Sequence, residues 1–147
     1  MEDERRAAAP EEAIAEMYRG LEVFLALQAL EDWNGRMTLP GRWMACAKFA
    51  IKECARVGEL SRPGEITDFL TNLERHPIRT DGFIAVMCSR DRKLPPFLRH
   101  SEEYYSAMRE VSGNDIPEDL AGSLRGQWLR AQRIESVAKI LAEESAL

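Results

Sequence analysis

The feature that most constrains this chain is an apolar stretch at residues 43–57, where eleven of the fifteen side chains are apolar. Lys48, Lys52 and Arg56 are four residues apart, so on a helix they form one narrow cationic ridge. A helix that is apolar around the rest of its circumference is typically buried. Its alanines and cysteines are small, which allows neighbouring helices to approach closely. The stretch therefore predicts an all-α fold organised around a buried helix at 43–57.

The chain length of 147 residues fits one domain. A domain of this size buries about 68–70% of its extended-chain surface, so it needs neither a metal nor a disulfide for stability. We expect residues 1–9 to be a disordered tail and residues 10–147 to be a single all-α domain, a helical bundle of about five or six helices. If helix 43–57 is central to this bundle, Ile51→Ala should cost about 2–5 kcal/mol of stability.

A first helix is predicted at residues 10–33, where Pro10 suits the first helical position. One apolar stripe recurs along it at spacings of three and four: Ile14, Met17, Tyr18, Leu21, Phe24 and Leu25. Val23, Leu27 and Leu30 form a second apolar ridge about half a turn away. One helix cannot bury two opposite ridges in a single core. We therefore expect the second ridge to contact a protein partner or a second copy of the chain.

A third helix is predicted to follow Pro63 and to stop at His76, since the residue before a proline avoids the helical region. Residues 83–88 have the length of a strand and no clear period, but no other segment alternates as a partner strand would. We therefore predict a short buried helix there, with Thr80 or Asp81 as its cap.

Two more helices are predicted in the C-terminal part of the chain. Ser101 is expected to cap the first of them. The last helix has an apolar stripe that reaches almost to the C-terminus: Leu120, Leu124, Ala131, Ile134, Ala138 and Leu141. Gly122 and Gly126 weaken its first turns, or mark a bend or a close helix crossing. A second apolar set on this helix also favours an interface. It consists of Trp128, Leu129 and Ile140.

The cysteine content argues against a disulfide scaffold. Cys46, Cys54 and Cys88 are odd in number, and two of them lie within the apolar stretch. We expect free, buried thiols in a reducing compartment.

The N-terminus has no apolar signal core, and the longest mostly apolar run is far shorter than the roughly 20 residues that span a bilayer. The expected location is therefore the cytoplasm, without membrane association.

The net charge of −5 is unevenly distributed along the sequence. Residues 1–35 carry nine acids and three bases, and residues 101–147 carry nine acids and five bases. Between them, residues 75–100 carry six bases and two acids, a net charge of +4. A basic segment between acidic ends is either a partner surface or the internal counter-charge of the acidic helices.

The part of this basic segment around Pro95 shows no helical period. We expect Arg90, Arg92 and Lys93 to lie on an exposed connection that meets an acidic partner. The alternative is that the segment tracks a nucleic-acid backbone while nearby rings stack on bases. The rings in question are Phe97, His100, Tyr104 and Tyr105. The modest local charge and the acidic total disfavour this alternative.

The sequence offers one candidate set of residues for a ligand or catalytic pocket: His76, Cys88, His100 and Tyr104. They form a site only if the fold brings them together, and Cys88 would then need a histidine as its base. Neither histidine has a zinc-ligand neighbour at the usual spacing in its own segment. The sequence also contains none of the common phosphate-binding or catalytic motifs. It therefore favours a protein without a metal or other cofactor.

These observations favour a non-enzymatic helical subunit or adaptor that acts through protein–protein contacts and self-associates or joins a complex. The first alternative is a nucleic-acid-associated helper that uses residues 75–100, and strongly salt-dependent binding would distinguish it. The second alternative is a small enzyme or ligand-binding helical pocket. Convergence of the candidate pocket side chains in one concavity would support it.

Overall fold

The computed structural model describes residues 9–18, 21–88 and 93–146, and these residues form helices and no strand. The predicted all-α helical bundle is confirmed. In chain order, the α-helices of the described residues are α1 (Pro10–Met17), α2 (Val23–Arg36), α3 (Gly41–Cys54), α4 (Pro63–Arg75), α5 (Arg79–Cys88), α6 (Pro96–Arg99), α7 (Ser101–Arg109) and α8 (Ser123–Ser145). Short 3₁₀ helices lie at Val57–Glu59 and Gly113–Asp115. Residues 1–8 of the predicted tail lie outside the described residues.

The chain divides into two compact units. Unit 1 comprises residues 1–59 and 73–95, and unit 2 comprises residues 60–72 and 96–147. The division therefore falls within α4. The expectation of one domain over residues 10–147 stays a prediction, because compactness alone does not show whether a unit folds independently.

Helix α3 lies at the centre of unit 1, where it packs against α1, α2, α5 and the 3₁₀ helix that follows it. It spans Gly41–Cys54 rather than the predicted 43–57. Its buried side chains are Met44, Cys46, Ala47 and Ala50, most of them small, so neighbouring helices can approach it closely. Ile51 is only half-buried. Its truncation to Ala should therefore cost closer to the roughly 1 kcal/mol of an average substitution than the larger loss expected from the sequence.

Two buried carboxylates fix the start of α1. Glu11 and Glu12 are 7% and 5% exposed. Glu12 Oε2 accepts a hydrogen bond from the Ala9 N–H at 3.3 Å, which satisfies one of the donors that a helix start leaves open. Glu11 Oε1 accepts a hydrogen bond from Arg42 Nε at 3.3 Å, which ties α1 to α3. Both carboxylates also suit the positive end of the helix dipole.

The predicted continuous helix 10–33 is wrong. A break separates α1 from α2, because the backbone of Glu22 is extended, with φ −56° and ψ 142°. The Leu21 N–H donates to the Tyr18 carbonyl oxygen at 3.3 Å, so a turn follows α1. If the helical period of α1 is continued through this break, it predicts the wrong buried and exposed faces for α2.

Residues 83–88 are helical, as predicted, and form the C-terminal part of α5. The predicted caps are wrong, because α5 begins at Arg79 and both Thr80 and Asp81 lie inside it. Ser101 is likewise the first residue of α7 rather than its cap. In all three cases the helix begins one to three residues earlier than the side-chain pattern indicated.

In unit 2, α7 packs against α6 and α8. Phe69 of α4 and Phe97 of α6 meet edge to face, with their ring centroids 6.0 Å apart. Arg130 of α8 donates two hydrogen bonds to the carboxylate of Asp68 in α4, at 2.8 and 2.9 Å. These hydrogen bonds lower the pKa of Asp68. The pair joins the first half of α4 to the last helix within this unit.

Helix α8 begins after a sharp bend at Gly122. This residue has φ 62°, a conformation that glycine adopts without steric penalty. The bend is one of the two roles predicted for it. The second apolar set predicted on this helix is partly internal to unit 2, since Ile140 is buried and Trp128 and Leu129 are half-buried.

Gly82 and Gly126 provide a matched test of helix packing in unit 1. A Cβ at Gly82 in α5 would lie 3.1 Å from both Glu12 Oε1 and Ile78 Cγ1, whereas nothing lies within 4 Å of a Cβ at Gly126 in α8. Gly126→Ala should raise the free energy of unfolding by up to about 1 kcal/mol, the difference in helix propensity. Gly82→Ala should instead lower it by up to about 2 kcal/mol, because overpacking outweighs propensity.

Urea denaturation of the two variants measures this difference. Equal stabilisation by the two substitutions would contradict the close approach of α5 to the start of α1.

Candidate functional site

Four of the large apolar side chains that unit 1 leaves exposed lie where α1 ends and α2 begins. Met17, Leu21, Phe24 and Leu25 are 64%, 50%, 68% and 49% exposed, respectively. Single exposed apolar residues are common on proteins, but a group of them usually marks an interaction site. We call these four residues the α1–α2 apolar surface.

The structure reverses the predicted faces of α2. Leu30, predicted to bind a partner, is fully buried, with 0% of its surface exposed, so it cannot contact one in this structure. Val23 and Leu27, from the same predicted ridge, are half-buried. A partner role for those two residues stays a prediction. Phe24 and Leu25, assigned to the core stripe by the sequence, are exposed instead, because the break at Glu22 disconnects their helix from α1.

A cleft of about 350 Å³ adjoins the α1–α2 apolar surface. It is lined by Met17, Tyr18, Ala29, Asp32, Trp33 and Arg36. Leu25, Ala29 and Asp32 are spaced by four and three residues on α2, so they lie along one strip of that helix. Met17 belongs to both the surface and the cleft lining. The exposed apolar surface therefore continues into the cleft.

Two aromatic side chains line this cleft. The ring centroids of Tyr18 and Trp33 are 6.4 Å apart, and their planes are inclined by 60°. Burial, and after it the charge of Asp32, raises the pKa of the Tyr18 hydroxyl. Tyr18 is therefore neutral near pH 7, and the negative field of Asp32 reaches its hydroxyl group.

Two opposite charges lie at the edge of the cleft. Asp32 and Arg36 are both exposed. Neither has an ion-pair partner within the described part of the chain. Among the described residues, the lining contains no cysteine, histidine or serine. Its chemistry suits binding through an apolar and aromatic floor with charged groups at the rim.

Two residues of the candidate pocket belong to unit 1. The ring of His76 stacks on Phe49, with the centroids 4.2 Å apart, and its Nδ1 accepts a hydrogen bond from the Ile78 N–H at 3.2 Å. Burial lowers the pKa of His76. Cys88 is exposed at the end of α5. The expectation of buried thiols therefore holds for Cys46 but is wrong for Cys88.

The other two residues of the candidate pocket belong to unit 2. His100 is exposed, whereas Tyr104 is fully buried. The Tyr104 hydroxyl donates to Glu144 Oε2 at 2.9 Å, so it already has an internal partner. Burial and this hydrogen bond raise the pKa of Tyr104 far above its usual range. A pocket formed by all four residues stays a prediction.

The basic segment is only partly described. Arg90 and Arg92 lie outside the described residues, and Lys93 is exposed. Phe97, Tyr104 and Tyr105 are 2%, 0% and 4% exposed, because they pack inside unit 2. The rings proposed to stack on bases are therefore buried, apart from His100.

Sequence reasoning missed the residues that form the apolar surface and cleft. The missed signal was the Gly20–Glu22 interval, where a glycine and an acid flank Leu21 of the apolar stripe. Glycine in a helix interior costs about 1 kcal/mol relative to alanine, so the interval was a candidate break.

Further properties of the described residues bear on function. They contain no group of three or more His, Cys, Asp or Glu side chains arranged to hold a metal ion. None of their helices has the length and apolar character required to cross a membrane. The chain matches no protein-family model, no curated protein and no solved structure. The geometry and chemistry of the site are therefore the basis for assigning a function.

The stacked His76 predicts a pH dependence of stability. Because its pKa is lowered in the folded state, the unfolded chain binds the proton more readily as the pH falls below the usual value of 6.5. The free energy of unfolding should therefore decrease between about pH 7 and about pH 5, the range in which histidine titrates. His76→Gln should reduce this slope relative to the unsubstituted chain. Equal slopes in the variant and the unsubstituted chain, measured by urea denaturation, would contradict the prediction.

The two buried tyrosines of α7 predict unequal losses of stability. Tyr104→Phe leaves the Glu144 carboxylate without its donor, and Glu144 Oε1 already has no hydrogen-bond partner among the described residues. We expect a cost of about 1–3 kcal/mol. Tyr105 donates to the Leu70 carbonyl oxygen at a longer 3.3 Å, so Tyr105→Phe should cost about 0.5–1.5 kcal/mol. Thermal or urea unfolding in which the order is reversed would contradict the account of unit 2.

Proposed function

We propose that this protein is a non-enzymatic helical subunit or adaptor that binds another protein through the α1–α2 apolar surface and the adjoining cleft. The observation that carries the proposal is the exposure of four large apolar side chains next to a cleft lined by aromatic rings. Covering such side chains removes apolar area from water, at about 25 cal/mol per Å². This free-energy gain is absent while the chain is alone and is obtained when a partner covers the side chains.

The residue types at the site support protein binding. Aromatic residues and methionine are enriched in the cores of protein interfaces, and tryptophan and tyrosine dominate the residues whose loss weakens binding most. Met17, Phe24 and Trp33 are of these types. The cleft volume of about 350 Å³ lies at the lower end of the usual range for binding pockets. It can receive a large side chain of a partner as an anchor.

A nucleic-acid-associated role for residues 75–100 has weaker support. Its electrostatic part depends on Arg90 and Arg92, which lie outside the described residues. Its aromatic part is opposed by the burial of Phe97, Tyr104 and Tyr105. No observation favours this role over protein binding at the α1–α2 apolar surface.

Site-specific photocrosslinking tests the proposal. A benzophenone-bearing phenylalanine analogue replaces Phe24 in one variant and Leu124 in a control variant. Leu124 is 52% exposed but belongs to α8 in unit 2, so it matches Phe24 in exposure and not in location. We expect a defined crosslinked product from position 24 in cells that make the protein naturally, and none of the same mass from position 124.

The mass of the crosslinked product shows whether the partner is a second copy of the chain or a different protein. A product of twice the 16.7 kDa chain mass indicates self-association, and any other discrete mass indicates a different protein. No product from position 24, or the same products from both positions, would contradict the proposal.

A stability measurement separates binding from folding. Phe24→Ser and Leu25→Ser should each change the free energy of unfolding by no more than about 0.5 kcal/mol, since both side chains are exposed. The same two substitutions should abolish formation of the complex. A large loss of stability on either substitution would show that these side chains belong to the core instead.

A further inference from the structure

Two aromatic rings and a carboxylate meet in the cleft of unit 1. The ring centroids of Tyr18 and Trp33 are 6.4 Å apart, with the planes inclined by 60°. A cation is attracted to the face of an aromatic ring within about 6 Å of its centroid. Because the centroids are 6.4 Å apart, a cation that lies over the two rings, rather than between them, can be within this distance of both. Asp32 lines the same cleft and adds an opposite charge.

From this arrangement we infer that the cleft receives a cationic side chain, lysine or arginine, from a basic amphipathic segment of a different protein. The inference rests on the proposed function and specifies the chemistry of its partner. The partner segment is basic and amphipathic. Its apolar side chains cover Phe24 and Leu25, and its cation enters the cleft beside Asp32.

The charges near the cleft favour a cation over an anion. Glu22 and Asp32 are exposed, and neither has an ion-pair partner within the described ranges. Glu31, by contrast, pairs with Lys48 of α3. The described residues from 9 to 35 carry six acids and no base. A basic segment is therefore attracted to this part of the chain, and an acidic one is repelled.

Arg36 is the one cation among the described residues that line the cleft. It lies four residues after Asp32 on α2, yet no ion pair joins the two side chains within the described part of the chain. The charge that raises the pKa of Tyr18, after burial, is that of Asp32. The Asp32 carboxylate therefore acts on the Tyr18 hydroxyl. Arg36 then opposes an incoming cation, and its removal should strengthen binding.

The same charges disfavour a second copy of the chain as the partner. In a two-fold symmetric dimer, the same surface patch of each subunit meets its equivalent. The exposed Glu22 and Asp32 of both copies would then lie in one interface, where four acids face only the two copies of Arg36. Like charges that face one another across an interface are destabilising. A different protein with a basic segment avoids this repulsion.

Two designed peptides serve as probes of the inference. One is a 15-residue amphipathic helix with leucines on one face and lysines on the other, and the second has every lysine replaced by glutamate. Fluorescence anisotropy of labelled peptides gives the affinity. The indole N–H resonance of Trp33, assigned with Trp33→Phe, reports whether the peptide enters the cleft. The wild-type chain should bind the lysine peptide, with a shift of this resonance, and should not bind the glutamate peptide.

Substitutions of the two cleft charges should move the affinity in opposite directions. Asp32→Asn should weaken binding of the lysine peptide by about tenfold, as expected for loss of one close charge pair. Arg36→Gln should tighten it by a few-fold. Asp119→Asn is the matched control, since Asp119 is an exposed acid in unit 2, and it should leave the affinity unchanged.

The outcomes separate this inference from the proposed function. If Asp32→Asn has no effect while Phe24→Ser still weakens binding, the inference of a cationic side chain in the cleft is wrong. The proposal that the apolar surface binds a partner is then retained. If Phe24→Ser also has no effect, or if neither peptide binds, the inference fails and the apolar surface loses its support. Equal affinity for the two peptides would also overturn the inference. A dimer in light scattering that Asp32→Asn dissociates would identify a second copy as the partner and overturn the choice of a different protein.

Discussion

The structure of unit 1 depends on the close packing of α1 against the small-residue side of α3. Cys46 is fully buried there, and its burial, followed by the charge of Glu11, raises the pKa of its thiol. Glu12 is held between its own helix start and Gly82 of α5, where a Cβ would lie 3.1 Å from its carboxylate oxygen. Helix α1 therefore contacts both α3 and α5. Small side chains of α3 and two buried carboxylates of α1 contribute to fixing its place.

The α1–α2 apolar surface follows from this packing. With α1 fixed on α3, the extended backbone at Glu22 allows α2 to take its own rotation about its axis. Helix α2 then packs on α3 through a face that includes Ala26 and Leu30, and the Leu39 N–H closes the connection between them by donating to Asn34 Oδ1 at 2.9 Å. The first turn of α2 is left with Phe24 on the outside. The exposure of the Phe24 ring beside the cleft is thus a consequence of how α2 packs on α3.

Local patterns in the sequence were sufficient for the all-α fold, for helix α3 and for helix α5, because each has its own apolar period or run. They were insufficient at Glu22, because Met17, Leu21 and Phe24 keep the spacing of one continuous helix across the break. The spacing of apolar residues shows only that a helix has an apolar face. Whether that face is buried depends on the neighbouring helices. The hydrogen bond from Tyr104 to Glu144 shows the same limit, since no local pattern links residues 40 positions apart. The cleft combines residues of α2 with residues at the end of α1, so it was not visible in either helix alone.

The central claim is that the break at Glu22 turns the Leu30 side of α2 inward and the Leu25 side outward. Solvent paramagnetic relaxation enhancement of leucine methyl groups in the NMR spectrum tests it most directly. A soluble gadolinium chelate should broaden the methyl resonances of Leu25 strongly and leave those of Leu30 almost unaffected. Similar protection of both residues, or a protected Leu25 beside a broadened Leu30, would contradict the account. The latter result would indicate one continuous helix through residues 10–33.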